Sequence, residues 1–462
     1  MTSWTPNLES QRGPRYIAIA RALADDIVAG RLKSGERLPT HRDLAWKLGV
    51  TVGTVTRAYA EAERRGLIAG EVGRGTYVRE RIGDGVLIPS PDPPTRDFID
   101  LARNFPPDNP AARDIQDALT EFAKRNDLSP LLRYTTPGGD EAHRAVGAAW
   151  LAGFGLRVDP AQVVLTSGAQ HAMLVAISGL ARPGDVVLTE QLAFYGMKSI
   201  ASMLSLRLQG VAMDHEGLLP DALEAACRSN SPKALYCVPT LQNPTTAIMS
   251  AERRAAIAEI CRRHGVTIVE DDVYGFLVED GPPPIATIAP DITVFVTSLS
   301  KCVAPGLRMG FAAAPRATVE RLISGLRATT WMSTPLTTEI AMRHMADGSA
   351  RRMAEWQRQE AIARQAIARR ILGHADMATH PAAFHLWLKL PEPWRREEYA
   401  AQARRRGVGV APADAFAVGR APVPHAVRIG LSAARDRAQL ERALGVLAEM
   451  LTGMPERDYA MV

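Results

Sequence analysis

Cysteine is scarce in this chain. Only Cys227, Cys237, Cys261 and Cys302 occur, and no two stand in a CxxC spacing. That argues against a zinc site or a disulfide framework and fits a reducing cytoplasm. Long apolar runs are missing too, so nothing reads as a membrane span. The start, MTSWTPNLESQRGPRY, lacks the charged end and apolar core of a secretory signal. What is present is an ordinary globular composition, 46% hydrophobic and 23% charged, spread over 462 residues. That length is too great for one compact core and predicts two or three units.

The net charge of +5 is unevenly placed. Residues 12–81 hold fourteen Lys/Arg against eight Asp/Glu, a net of +6, which leaves the remainder at −1. A basic first unit on a near-neutral body points to a polyanion, although a modest basic excess is also what a solvated surface carries. The pattern within that unit is more informative. RYIAIARALADDIVAG has helical apolar spacing and ends in Gly30. Thr40 is placed to N-cap HRDLAWKL, which Gly49 ends. VTVGTVTRAYAEAERRGL puts Val55, Ala58, Tyr59 and Ala62 on one stripe and stops at Gly66. LIAGEVGRGTYVR then reads as a hairpin with Gly73-Arg74-Gly75 at its tip.

Three helices followed by such a hairpin predict a winged helix-turn-helix, whose second turn helix enters the major groove of double-stranded DNA. Thr51, Thr54 and Thr56 at the start of that helix can meet phosphates or base edges, and Arg42, Arg57 and Arg74 can supply counter-charge. The stretch LPTHRDLAWKLGVTVGTVTRAYAEAERRGLIAGEVGRGTYV resembles the GntR family of bacterial transcription regulators. Many members carry arginine where this chain has Val52, so an arginine–guanine contact from that position is not expected.

Residues 81–97, RIGDGVLIPSPDPPTRD, contain Pro89, Pro91, Pro93 and Pro94 and read as a semi-stiff connector. They divide a head at 12–80 from a body at 98–455. In the body, VVLTSG, DVVLTE, KALYCVP, VTIVEDD and TVFVTSLSK read as strands, and AQHAMLVAISGLA and AERRAAIAEICRRHG as helices. Such alternation predicts a largely parallel sheet whose ligands sit beyond the carboxyl ends of the strands.

Lys301 stands at one of those ends, flanked by Ser298 and Ser300. A lysine there either snorkels to solvent or is buried and deprotonated, ready to attack an aldehyde. A pyridine aldehyde carrying a phosphate needs an amine, an acid for its ring nitrogen, phosphate donors at a helix start and a flat wall. Lys301 offers the amine. Asp271 and Asp272 offer the acid, with Tyr274 placed for a ring oxygen. Gly168, Ala169 and Gln170 open a helix, and Ser298, Ser300 and Arg308 add donors. Phe194 or Tyr195 offers the wall, and Asn243 follows another strand end.

This order resembles the fold-type I aminotransferases that use pyridoxal 5′-phosphate. The resemblance implies that Lys301 makes the Schiff base and that Asp271 pairs with the ring nitrogen. Asn243 and Tyr274 then touch the ring oxygen. Gly168, Ala169, Gln170, Ser298 and Arg308 bind phosphate, with Ser300 beside them. Phe194 stacks on the ring, and Tyr134 reaches the phosphate across a dimer interface. Arg428 grips a substrate carboxylate. Plainer readings exist: Arg428 as a structural ion-pair partner, Tyr134 as core, one of the two aspartates as a helix cap, and Cys302 as packing.

A GntR-type head on such a body resembles the MocR subfamily. The expected fold class is α/β: an N-terminal winged helix-turn-helix joined to a fold-type I aminotransferase-like body. That body has a mostly parallel central sheet with helices on both faces, plus a small C-terminal α+β lobe. The expected function is a cytoplasmic, pyridoxal-phosphate-binding DNA regulator that senses an amino compound or the cofactor itself. It would work as a head-to-tail homodimer on an operator. The alternative is a working aminotransferase whose DNA-binding domain is secondary.

Overall fold

The computed structural model describes residues 4–6, 8, 14–28, 31–32, 36–64, 67–71, 75–78, 97–108, 110–124, 127–419 and 422–453. The chain divides into two compact units, Met1–Ile88 and Pro89–Val462. The predicted helix ends Gly30 and Gly66, the wing-tip residues Gly73 and Arg74, and the connector up to residue 96 lie outside the described residues.

In the first unit, α1 (Arg15–Val28), α2 (His41–Leu48) and α3 (Val52–Arg64) precede an antiparallel hairpin of β1 (Ile68–Glu71) and β2 (Gly75–Val78). Local chemistry sets the boundaries. The Thr40 hydroxyl accepts from the Asp43 N–H at 3.2 Å, and Gly49 leaves α2 in the left-handed region at φ 61°. Thr51 accepts from the Thr54 N–H at 3.2 Å and so starts α3. The stripe of Val55, Ala58, Tyr59 and Ala62 is buried against Ile19, Leu23 and Leu44. The Tyr59 hydroxyl donates to Pro39 O at 2.9 Å, which satisfies a buried phenol and ties α3 to the approach of α2.

The second unit is built on a seven-stranded sheet. Its strands are β3 (Val163–Thr166), β4 (Val186–Glu190), β5 (Arg207–Val211), β6 (Ala234–Cys237), β7 (Thr267–Asp271), β8 (Thr293–Ser298) and β9 (Gly310–Ala313). The spatial order is β3-β9-β8-β7-β6-β4-β5, and only β9 runs antiparallel to its neighbours. Five strands fall where the pattern predicts them. Two escape it, because RLQGV at the edge carries polar residues and GFAA is small and short.

Alternation sends successive side chains to opposite faces. Ala234 and Tyr236 pack with Ala172, Val175 and Leu322, from the helices Ala169–Leu180 and Arg316–Thr329. Leu235 and Cys237 pack on the other face with Ile257 and Cys261, from Ala251–His264. With both faces covered, the inner strands are mostly apolar.

A smaller antiparallel sheet follows: β10 (Met377–Ala378), β11 (His385–Lys389), β12 (Ala411–Pro412) and β13 (Ala426–Gly430), in the order β10-β11-β13-β12. It is backed by the helices Arg396–Arg405 and Arg437–Thr452. The 24-residue helix Ser349–Leu372 joins the two parts, with Met353 in one core and Ala368 and Leu372 in the other.

Candidate functional site

Lys301 follows the end of β8 by three residues. Its Nζ donates to the main-chain carbonyl of Asn104 and lies 5.9 Å from the centre of the Tyr274 ring. Burial, and after it the nearby Arg428, lower its pKa to about 7 against the opposing pull of Asp271. A lysine poised near neutrality is a nucleophile at physiological pH.

Asp271 closes β7. One of its carboxylate oxygens, Oδ2, accepts from the Tyr236 hydroxyl at 2.7 Å, while Oδ1 is buried with no hydrogen-bond partner. Burial raises this carboxyl to about 7, against the lowering pull of the Tyr236 hydrogen bond. An orphan acceptor this deep costs stability unless something supplies a donor. Asp272, also buried, has an unpartnered Oδ1 too, and its carboxylate is stabilised by the Gly275 N–H beside the short 3-10 turn Gly275–Leu277.

Arg428, on β13, is fully buried. Its Nη1 donates to Asn243 Oδ1 at 2.9 Å and its Nη2 to Ala102 O, while Nε has no partner. The guanidinium lies 4.8 Å from the centre of the Phe416 ring. No carboxylate among the described residues stands within ion-pair distance of it, so it is not a structural salt-bridge partner. A buried cation held only by neutral acceptors is suited to receive an anion.

Three residues join this group that the sequence pattern did not single out. Asn104 Nδ2 donates to the Tyr274 hydroxyl at 2.8 Å and to His385 Nδ1 at 3.2 Å. His385 Nε2 donates to Gln242 O at 3.2 Å, which fixes the tautomer: Nδ1 is the acceptor. Burial lowers His385 to about 3, with Arg428 acting in the same direction, so the ring is neutral. Tyr236 is the third. As the one hydroxyl among the apolar residues of β6, it carried a signal; Asn104, in an irregular stretch before Pro106, carried none.

The phosphate-type donors gather at the start of Ala169–Leu180. Gly168 precedes that helix at φ 90°, and a Cβ there would stand 2.6 Å from Arg308 Nη2. Arg308 Nη2 donates to Ser167 O at 3.1 Å. The first N–H groups of the helix have no acceptor within it, as at any helix start. Ser298 Oγ accepts from the Ser300 N–H at 3.3 Å. Gln170 Nε2 donates to Gly196 O at 3.2 Å, beside Phe194. Phe194 is half-buried, with its ring centre 4.7 Å from that of Tyr195. Tyr134 is not core: it is 83% exposed and meets Trp331 edge-on at 6.1 Å. Cys302 is packing, with its thiol pushed up to about 12 by burial.

On the first unit, Arg42, Thr51, Thr56 and Arg57 are exposed and Thr54 is half-buried. The hydroxyls are partly engaged: Thr51 and Thr54 share a hydrogen bond at 2.9 Å, and Thr56 donates to Val52 O at 3.0 Å. Among the described residues no helix is long and apolar enough to cross a membrane.

These residues fit pyridoxal phosphate. The orphan Oδ1 of Asp271 suits a protonated ring nitrogen, Lys301 suits the aldehyde, and the Gly168–Ala169 turn with Arg308 suits the phosphate.

Comparison with known proteins agrees with this reading. Residues 96–447 match the family model for aminotransferase class I and II, and residues 15–78 match that for bacterial regulatory proteins of the gntR family. The uncharacterized HTH-type transcriptional regulator YdeF of Bacillus subtilis is 30% identical over 452 residues, covering 97% of both chains. The vitamin B6 salvage pathway transcriptional repressor PtsJ of Salmonella typhimurium is 27% identical, covering 90% of this chain and 94% of its own. Among solved structures, LysN, an alpha-aminoadipate aminotransferase from Thermus thermophilus, superposes with a TM-score of 0.71 at 22% identity, covering 85% of this chain and 98% of its own.

Proposed function

The chain belongs to the aminotransferase class I and II family and carries a gntR-type head, and from that premise we propose that it is a MocR-type, pyridoxal-phosphate-binding transcription regulator. The observation that carries this reading is one chain holding both parts: a helix-turn-helix with the start of α3 exposed, and a half-buried lysine with a desolvated amine in the same site as a buried aspartate. In our reading the head spans residues 12–80, the connector 81–97 and the body 98–455.

The cofactor, when bound, supplies an aldehyde for amines and a ring that accepts electrons. The chain supplies the rest. Lys301 is the amine that holds the cofactor and exchanges with an incoming amino compound. Asp271 keeps a proton on the ring nitrogen through Oδ1, and Tyr236 fixes the carboxylate from behind. Asn243 and Tyr274 face the ring oxygen, and Phe194 walls the ring. Gly168, Ala169, Gln170, Ser298, Ser300 and Arg308 take the phosphate. Arg428 receives the effector's carboxylate by two parallel hydrogen bonds.

Dimerisation belongs to the same proposal. Exposed Tyr134 and Trp331 lie edge to face, and Tyr134 of one copy would reach the phosphate held by the other. A head-to-tail homodimer would place two heads on two operator half-sites. Arg42, Thr51, Thr54, Thr56, Arg57 and Arg74 are the proposed DNA contacts, and cytoplasmic residence follows from a DNA partner. The effector is an amino compound or the cofactor itself; the likeness to PtsJ, a repressor of vitamin B6 salvage, supports the second.

A second reading, a turning-over aminotransferase, draws on the same Lys301 and Asp271. One experiment separates them: the visible spectrum of the cofactor-loaded protein during titration with amino acids, then with a 2-oxo acid. A band that shifts and stalls without oxo product is the outcome expected of a sensor. Loss of the band and its return with the oxo acid would establish turnover instead.

A further inference from the structure

The two cations assigned to ligands are both held by one short stretch of main chain. Arg428 Nη2 donates to Ala102 O, and Lys301 Nζ donates to Asn104 O. A carboxylate on Arg428 competes for the protons that Ala102 O now accepts. A cofactor on Lys301 competes in the same way at Asn104 O. Were Lys301 to hold the cofactor's aldehyde, its nitrogen would no longer be a free ammonium able to donate to Asn104 O. Each ligand therefore exchanges one of its own hydrogen bonds for one made by residues 101–104.

That stretch is pinned at several other points. The Asn104 side chain uses both amide hydrogens, one on the Tyr274 hydroxyl and one on His385 Nδ1, and its Oδ1 accepts from the Ser432 hydroxyl at 3.4 Å. Leu101 O accepts from the Gly430 N–H at 2.8 Å, two residues beyond Arg428. The approach is so close that a Cβ at Gly430 would collide with Arg103 O. Upstream, Ile99–Asp100 pairs in parallel with Val408–Gly409 of the smaller lobe. Immediately before Asp97, the chain passes into the proline-bearing connector that leads to the head.

We propose that Asn104 is a positioning residue that couples the ligand state of Lys301 and Arg428 to the DNA-binding head, through the main chain of residues 97–104. The proposal rests on the regulator reading and specifies its route. Asn104 does not contact DNA, and it need not touch the effector. Its side chain holds the segment against the Tyr274, His385 and Ser432 elements, so that breaking or making the two carbonyl hydrogen bonds is felt as one displacement. Coupling between two sites requires an element that both ligands bias, and this segment is biased by both.

The test uses the full chain and a DNA duplex selected in vitro by the wild-type protein. Its Kd is measured with no addition, with pyridoxal 5′-phosphate, and with the cofactor plus each standard amino acid. Cofactor occupancy is followed by absorbance. The wild type is expected to change its Kd by at least about fivefold under one of these conditions, the low end of ordinary coupling. Asn104→Ala, at equal cofactor occupancy, should bind the duplex but change by less than about twofold. If that variant fails to hold the cofactor, Asn104→Asp is read in its place; it keeps the shape and removes the amide donors. A variant that responds as fully as the wild type at equal occupancy overturns the proposal. A wild type that responds to no condition overturns the regulator reading, and this proposal with it.

Discussion

Arg428 Nη1 donates to Asn243 Oδ1 across 2.9 Å, joining residues 185 positions apart in the chain. One belongs to a strand of the smaller lobe and the other to a loop beyond the large sheet. The guanidinium is thereby aimed at the space where Asn243 and Tyr274 lie, with Nε unsatisfied. This pairing is the geometric basis for assigning Arg428 to a carboxylate.

Replacing Arg428 by Ala should abolish discrimination between an amino acid and its decarboxylated amine. Charge-assisted hydrogen bonds contribute roughly 1.5–3 kcal/mol each, so losing the pair should weaken carboxylate ligands by about a hundredfold or more. Cofactor absorbance should persist. Titration of the loaded protein with paired ligands measures this, and an unchanged ratio would remove Arg428 from the effector site.

Arg57 is exposed on α3. If it neutralises a phosphate, Arg57→Ala should lower the magnitude of the slope of log K against log salt by about 0.9 for each phosphate left without its counter-charge. Fluorescence anisotropy at several salt concentrations reads the slope directly; the same slope in both proteins would strike Arg57 from the interface.

Gly310 needs its missing side chain. A Cβ there would stand 2.5 Å from the carbonyl carbon of Gly168 and 2.9 Å from Ala169 N. Both neighbours are main chain, so neither yields easily. Gly310→Ala should destabilise the body by about 1–3 kcal/mol and weaken cofactor binding, because the phosphate turn must shift. Denaturant unfolding and cofactor titration test the two halves, and a wild-type midpoint and affinity would show that the turn can yield.

His385 makes stability depend on pH. Its folded pKa is about 3, below the ordinary value of 6.5. The unfolded chain therefore binds the extra proton first as pH falls. The contribution is whole above pH 6.5 and is lost progressively as pH drops toward 3. His385→Gln keeps a donor and an acceptor but cannot titrate. Its unfolding free energy should fall less steeply than the wild type's between pH 6 and 4, the slopes differing by up to about 1.4 kcal/mol per pH unit. Parallel slopes would mean that His385 takes a proton in the folded state.

Much of this protein was legible in its sequence, where function depends on local chemistry. Thr40 and Gly49 bound α2 because capping and left-handed turns involve only a few neighbouring residues. Five sheet strands were readable because burial on both faces demands unbroken apolar runs. Lys301, Asp271 and the Gly168 turn were readable as candidates because they stand at strand ends or just past them. The strands β5 and β9 were not, since an edge strand tolerates polar residues and a strand of small residues has no apolar signature.

Tertiary structure alone decided which polar groups meet. No spacing relates Asn104 to Tyr274, His385 and Lys301, which lie 170, 281 and 197 positions away. Nor could sequence distinguish a core Tyr134 from an exposed one, or an ion-paired Arg428 from one held by neutral acceptors. Caps, turns and apolar runs are written within a few residues of themselves. The desolvation that lowers Lys301 and raises Asp271 depends on everything packed around them, and therefore exists only once the chain has closed.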